Sequence, residues 1–282
     1  VSAGGSRAQR AFFRLELAHA LRSRWVSFTA LVYLLVFGAF VWLGLRESSV
    51  LGFTGLSRVV LNVSNAVVIV LPLVALVATA QSVVSSRTSG FFELFLSQPC
   101  RRSDWFWAVL ASRVLVIVGP LVVLLVGTSI AGAFMDDEPA LLPLVTRSLL
   151  VTIALSWAFV AVGLWLSSVA RTSERATVYV LLAWLASTAL HDFGLIALLL
   201  RFKLLPVVVF TLAASNPAEA ARLAILTGID PELSVLGPVG FWLATTLGPR
   251  LTLLVGVGWP VVLGIAVVSA AIRRLNRADL VG

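Results

Sequence analysis

The sequence predicts an all-α membrane protein of six transmembrane helices, and three observations carry the prediction. The first is the spacing of charge. Uncharged runs of 21, 28, 22, 23 and 22 residues separate Arg24 from Arg46, Arg58 from Arg87, Arg113 from Asp136, Arg147 from Arg171, and Arg250 from Arg273. A sixth run, Arg175 to Arg201, is interrupted only by Asp192. A hydrocarbon core about 30 Å thick is crossed by roughly 20 apolar residues in helix. Open strands are excluded there, because lipid leaves their backbone groups without partners. The second observation is composition. Mean hydropathy is +1.03 and 60% of residues are hydrophobic, against about 45–50% apolar in soluble domains. The third is where the arginines fall. Of the 21 basic residues, 14 lie in the N-terminal segment, the loops after spans 2 and 4, and the C-terminal tail. The remaining loops hold seven bases against eight acids. The excess of positive charge on cytoplasmic loops then places both termini in the cytoplasm.

The elements follow in order. Residues 8–24 read as an amphipathic interfacial helix. Phe13, Leu17 and Leu21 recur every fourth residue, with Arg10, Arg14, Glu16, His19 and Arg22 around them. Span 1 is expected at 25–45, span 2 at 60–84 and span 3 at 112–134, the last bent at Gly119-Pro120. Span 4 is expected at 148–168, span 5 at 177–199 and span 6 at 250–272. The first apolar stretch is long enough to stay in the membrane, so no cleavable signal peptide is expected. Residues 200–249 are apolar but broken by Pro206, Pro217, Pro231, Pro238 and Pro249. They read as outer re-entrant pieces around a short helix at 216–226, with a further pair of spans left open. The whole chain, 1–282, is one membrane domain.

Several chemistries lack their residues. The single lysine, Lys203, follows Arg201-Phe202, so no phosphate-binding G-x-x-x-x-G-K-[ST] loop exists. No catalytic constellation and no metal-ligand cluster is expected from one cysteine (Cys100), one methionine (Met135) and two distant histidines (His19, His191). No span centre carries a paired acid and base, which disfavours an ion-coupled secondary transporter. The charge of +8 sits at span ends and reads as a topology signal rather than nucleic-acid binding. His191-Asp192 reads as a wetted helix end. Gly256 and Gly258 are placed to permit close helix approach.

The most specific segment is 86–103. Phe91 to Leu96 can form a short cytoplasmic helix, ended before Pro99, with aromatic and leucine knobs and one acid, on physics alone either an interfacial hairpin or a docking knob. Gly90, Glu93, Leu96, Pro99 and Arg102 resemble the coupling region of ABC-2 type ABC transporter permeases, roughly E-x-E-x-G-T-L-E-x-L-L-x-x-P-x-x-R. Phe91 stands at the family's threonine, and Ser86 and Thr88 at its upstream acids. Val109 takes the place of a family lysine, with Arg113 one turn later. Arg14, Glu16, Leu17, Arg22 and Arg24 resemble the family's helix before span 1. The tail Arg273-Arg274-Leu275-Asn276-Arg277-Ala278-Asp279-Leu280 resembles its usual ending. Leu51-Gly52-Phe53-Thr54, with Asn216, Pro217, Glu219 and Arg222, resembles the NosY-like branch, associated with nitrous oxide reductase maturation.

The resemblance implies an exporter-like (type V) ABC-2 fold in a bacterial or archaeal cytoplasmic membrane. It implies a non-catalytic permease homodimer with two cytoplasmic ATPase subunits, which would hold ATP and Mg²⁺, and a periplasmic accessory protein. Phe92, Leu94, Phe95 and Leu96 would anchor the ATPase, with Glu93 supplying polar specificity. Force would pass through spans 1, 2 and 5. The competing readings are a secondary transporter and a membrane assembly protein without an ATPase. An adjacent reading frame for an ATPase would discriminate them.

Overall fold

The structure, a computed structural model, describes residues 2–22, 27–39, 55–92, 101–134, 141–228 and 237–277. They are helical almost throughout, with no strand among them. Five helices are long and apolar enough to cross a membrane. A sixth crossing is available if Phe12–Arg22 and Ser27–Ala39, which meet at 61°, count as one broken span.

Helix α1, Ser2–Arg22, precedes α2, Ser27–Ala39. The apolar residues of α1 are divided between two faces. Ala20 is fully buried and Phe12 packs on the core, whereas Leu15 and Leu21 are exposed. The Phe13–Leu17–Leu21 row therefore borders the outside, and the row Phe12–Glu16–Ala20 meets protein. α3, Gly55–Thr79, contains Pro72 and gives way at Ala80-Gln81 to α4, Ser82–Thr88. Gln81 makes no side-chain cap. The hydroxyl of Ser167 accepts instead from the backbone N–H groups of Val83 and Val84 at 3.1 and 3.4 Å, satisfying orphan donors of the new helix.

α5, Arg102–Phe134, stays one helix through Gly119-Pro120. It begins ten residues before the expected span because Trp105, Phe106, Val109 and Leu110 are buried and must pair with protein. α6, Leu141–Val169, is the hub, packing on α3, on α5 and on two helices nearer the C-terminus described next. Its small polar residues face neighbours: Ser64 donates to Ser148 at 2.9 Å. α7, Ser173–Leu185, passes through a π-helical turn, Ala186–Leu190, into α8, His191–Arg201. This composite crossing buries few residues, leaving most of its surface to lipid or a partner.

Residues 200–249 hold three ten-residue helices: α9, Pro206–Ser215; α10, Pro217–Leu226; and α11, Gly237–Thr246. Each rises about 15 Å, half a membrane. Among the described residues this region therefore has no additional full span. α10 is nearly all buried and packs on α3, α6 and α12, the last helix, Gly248–Arg277. At Gly256 a Cβ would lie 2.6 Å from the Ala220 carbonyl oxygen, whereas at Gly258 nothing lies within 4 Å. Of the Gly256-x-Gly258 pair expected to permit close approach, Gly256 does so.

Candidate functional site

Two ends of the bundle carry the polar chemistry. At the first end α1, α4, the start of α5 and the last turns of α6 and α12 converge. α4 stops at Gly90, whose φ of 71° suits glycine. Its N–H donates to the Arg87 carbonyl at 3.4 Å. The turn throws the next two residues inward. Phe92 is fully buried, with its ring centroid 4.9 Å from that of Trp105 at 77°. Phe91 lies 5.9 Å from Phe92 and 6.1 Å from Trp105. Trp105 Nε1 donates to Glu16 Oε1 at 3.3 Å, joining the cluster to α1. On the far side of the segment, Arg102 donates to the Leu275 carbonyl of α12 at 2.7 Å. The Ser168 carbonyl, at the end of α6, accepts from Arg87 at 3.5 Å and Arg274 at 3.4 Å. Two cations there oppose the negative pole of α6.

These positions revise the reading of 86–103. Phe92, expected as a surface anchor, is instead a core residue, because the left-handed turn at Gly90 aims it at Trp105. Gly90 supplies the left-handed turn before Phe92, and Arg102 opens α5 with its bond to α12. Glu93, Leu94, Phe95, Leu96 and Pro99 lie outside the described residues, as does Arg24. Arg14 and Arg22 are exposed on α1, and Glu16 and Leu17 are half-buried. Val109 is buried, and Arg113 reaches a cavity shared with α1 and α4.

At the opposite end Asn216 joins three elements. Its Oδ1 caps α10 by accepting from the Ala218 N–H at 3.0 Å. Its Nδ2 donates to the Ser187 carbonyl inside the π turn. A π turn changes the helical hydrogen-bond register, and here one of its carbonyls bonds across to Asn216. Pro217 opens α10 at a position where its missing N–H costs no hydrogen bond. Glu219 pairs with Arg222 at 3.1 Å. α10 lies outside the spans, and burial raises the Glu219 carboxyl above its ordinary pKa. Arg222 opposes the rise, Asp192 adds to it and His191 opposes it. His191 Nε2 lies 3.1 Å from the Leu212 carbonyl and Nδ1 lies 3.5 Å from Asp192. The expected outer motif is thus one constellation, and His191-Asp192 belongs to it rather than standing alone.

Arg147 went unremarked in the sequence except as a span boundary. Its guanidinium donates to the Ala224 carbonyl, to Thr227 Oγ1 at 2.5 Å and to the Pro249 carbonyl at 2.8 Å. It closes the last turn of α10 against the first turn of α12. Only its place at the end of an apolar run hinted at this. Among the described residues no three His, Cys, Asp or Glu side chains converge as a metal site.

Comparison with known proteins accords with this architecture. The model of the ABC-2 family transporter protein family matches residues 10–280. The chain is 25% identical over 229 residues to the probable ABC transporter permease protein NosY of Stutzerimonas stutzeri, covering 79% of this chain and 83% of that one. It is 27% identical over 228 residues to the probable ABC transporter permease protein NosY of Pseudomonas aeruginosa, covering 77% and 81%.

Proposed function

The chain belongs to the ABC-2 family and is the membrane-spanning permease of an ABC transporter; on that premise we propose that it couples ATP hydrolysis by a separate ATPase to export across the cytoplasmic membrane. The observation that carries the coupling is the convergence of helix ends at Phe92, Trp105 and Arg102, the described residues that flank 93–100. Of the described residues on either side of that segment, Phe92 meets Trp105 and Arg102 donates to the Leu275 carbonyl. A push on it reaches α5 and α1 through Trp105 and α12 through Arg102. This route differs from the expected one through spans 1, 2 and 5. Coupling requires the contact to differ in free energy between two permease states.

Arginine asymmetry supports placing both termini and this end in the cytoplasm. Two copies of the permease with two ATPase subunits complete the proposed assembly, ATP and Mg²⁺ being held by the ATPases. The sparsely buried crossing of α7, the π turn and α8 is the face proposed for the permease partner. Likeness to the NosY permeases supports a role in copper-enzyme maturation, with a periplasmic accessory protein at the outer end.

The anchors in this reading are Leu94, Phe95 and Leu96, with Glu93 at the rim. Truncating a central interface anchor costs about 2 kcal/mol or more, roughly thirtyfold in affinity. Phe95→Ala with Leu96→Ala should release the ATPase from tagged permease in a co-purification. Retention at wild-type stoichiometry and turnover would refute the docking role.

A further inference from the structure

We propose that the cavity between α1, α4 and α5 binds the headgroup of a zwitterionic phospholipid. The cavity has a volume of about 440 Å³. Glu16 and His19 enter it from α1, and Trp105 and Arg113 from α5. Glu16 and Arg113 line the same cavity, and among the described residues no ion pair joins them. Arg113 Nε is buried with no hydrogen-bond partner. Arg113 itself lines the cavity, so an anionic oxygen held there would lie beside its positive charge. A phosphate matches the planar donor fork of arginine.

The opposite wall suits a cation. Ser82, Ser85, Ser86 and Ser89 share one helical face and all line the cavity. Ser85 and Ser86 donate to the Ser82 carbonyl at 3.5 and 2.8 Å, and Ser89 donates to the Ser86 carbonyl at 3.4 Å. With the protons of Ser85, Ser86 and Ser89 directed to their own backbone, these three hydroxyl oxygens keep lone pairs free for a donor. An ammonium has three donors and no acceptor. Glu16, on α1, also lines the cavity and supplies a carboxylate for the ammonium. One cation-binding wall and one anion-binding group fit a phosphate and an ammonium on a single ligand.

The rim identifies the source as lipid. Leu15 lines the cavity and is 59% exposed, which gives the cavity an apolar rim on the open side of α1. An interfacial helix presents such residues to acyl chains, so the cavity opens where a phospholipid lies. This depends on α1 lying at the membrane surface and not on the ATPase coupling proposed above.

The test is native mass spectrometry of the purified permease with dihexanoyl phosphatidylethanolamine and dihexanoyl phosphatidylglycerol. Wild type should retain the ethanolamine lipid about tenfold more tightly, the scale of one charge-assisted hydrogen bond. Arg113→Gln should weaken both lipids by about tenfold. Glu16→Gln should abolish the preference while leaving the glycerol lipid bound. Ser86→Leu, which fills the cavity from α4, should repeat the loss if Arg113→Gln fails to fold. Saturating inorganic phosphate should leave the lipid bound. Equal retention by wild type and a folded Arg113→Gln variant overturns the proposal. Displacement by phosphate would assign the cavity to a free anion and overturn it too. So would an Arg113→Gln variant that keeps its lipid but sheds a co-purifying ATPase, marking a protein dock.

Discussion

Phe92 separates a core role from a docking role. Its side chain is fully buried and meets Trp105 edge-on at 4.9 Å between ring centroids. Truncation to alanine removes the ring and leaves a cavity, at a cost of about 3–5 kcal/mol for Phe→Ala in packed cores. An aromatic pair adds about 0.5–1.5 kcal/mol beyond area, already partly inside that range, so we expect about 4 kcal/mol in total. Phe92→Leu keeps most of the volume and should cost less than about 1.5 kcal/mol. The assay is equilibrium unfolding of the purified permease in mixed micelles, with ATPase co-purification measured on the same variants. Phe92→Ala should lower the unfolding free energy by several kcal/mol and Phe92→Leu by much less. Phe95→Ala with Leu96→Ala should release the ATPase while leaving the unfolding curve in place. The core assignment fails if Phe92→Ala unfolds like wild type yet loses the ATPase. The side chain would then face the partner, and Trp105 would not be its contact.

Four further outcomes test the other end and the topology. Arg147→Met leaves the Ala224 and Pro249 carbonyls without their guanidinium donor; at about 1.5–3 kcal/mol for a bond to a charged group, hydrogen exchange in α10 should accelerate at least tenfold. Gly256→Val drives a side chain into α10, where the Ala220 carbonyl oxygen would lie 2.6 Å from the new Cβ; it should cost about 1–3 kcal/mol, whereas Gly258→Ala, with nothing within 4 Å, should be neutral or stabilising in the same unfolding assay. The raised pKa of Glu219 means the fold favours its neutral form. That contribution is fully present below the ordinary value of 4.5 and is lost as pH rises through the higher folded-state value. Exchange in α10, corrected for intrinsic rates, should therefore increase with pH across that window, and Glu219→Gln should remove the dependence. In a Cys100→Ser background, Asp137→Cys should label from outside and Ser173→Cys from inside; labelling of both from one side would reject the six-span topology.

The spans were legible because they are written as deletions of charge. Long uncharged stretches such as Arg147–Arg171 and Arg250–Arg273 enclose helix because lipid permits little else. Their ends were less legible. α5 starts at Arg102 rather than Ser112 because Trp105 and Phe106 find protein to pack on, and hydropathy cannot say whether an apolar residue meets lipid or core. The same ambiguity hid Phe92 among Phe91, Phe95 and Leu96, four apolar residues with one composition. What distinguishes Phe92 is the left-handed turn at Gly90 and an indole 13 positions later, a tertiary fact. The π turn is more remote still. Nothing in Ala-Ser-Thr-Ala-Leu marks it, since its Ser187 carbonyl is bonded by Asn216, 29 residues on. Asn216, Pro217, Glu219 and Arg222 could be found as a cluster because capping and i,i+3 pairing are local grammar. Their partners could not, because Ser187, His191 and Asp192 lie on another helix. The residues that build the bundle were thus readable one helix at a time. Those that join helix ends were not, because the acceptors given for Arg102 and Asn216, and two of the three for Arg147, are backbone carbonyls. A carbonyl has no letter of its own in a sequence, and in this permease carbonyls are where the arginine and asparagine side chains at both ends are spent.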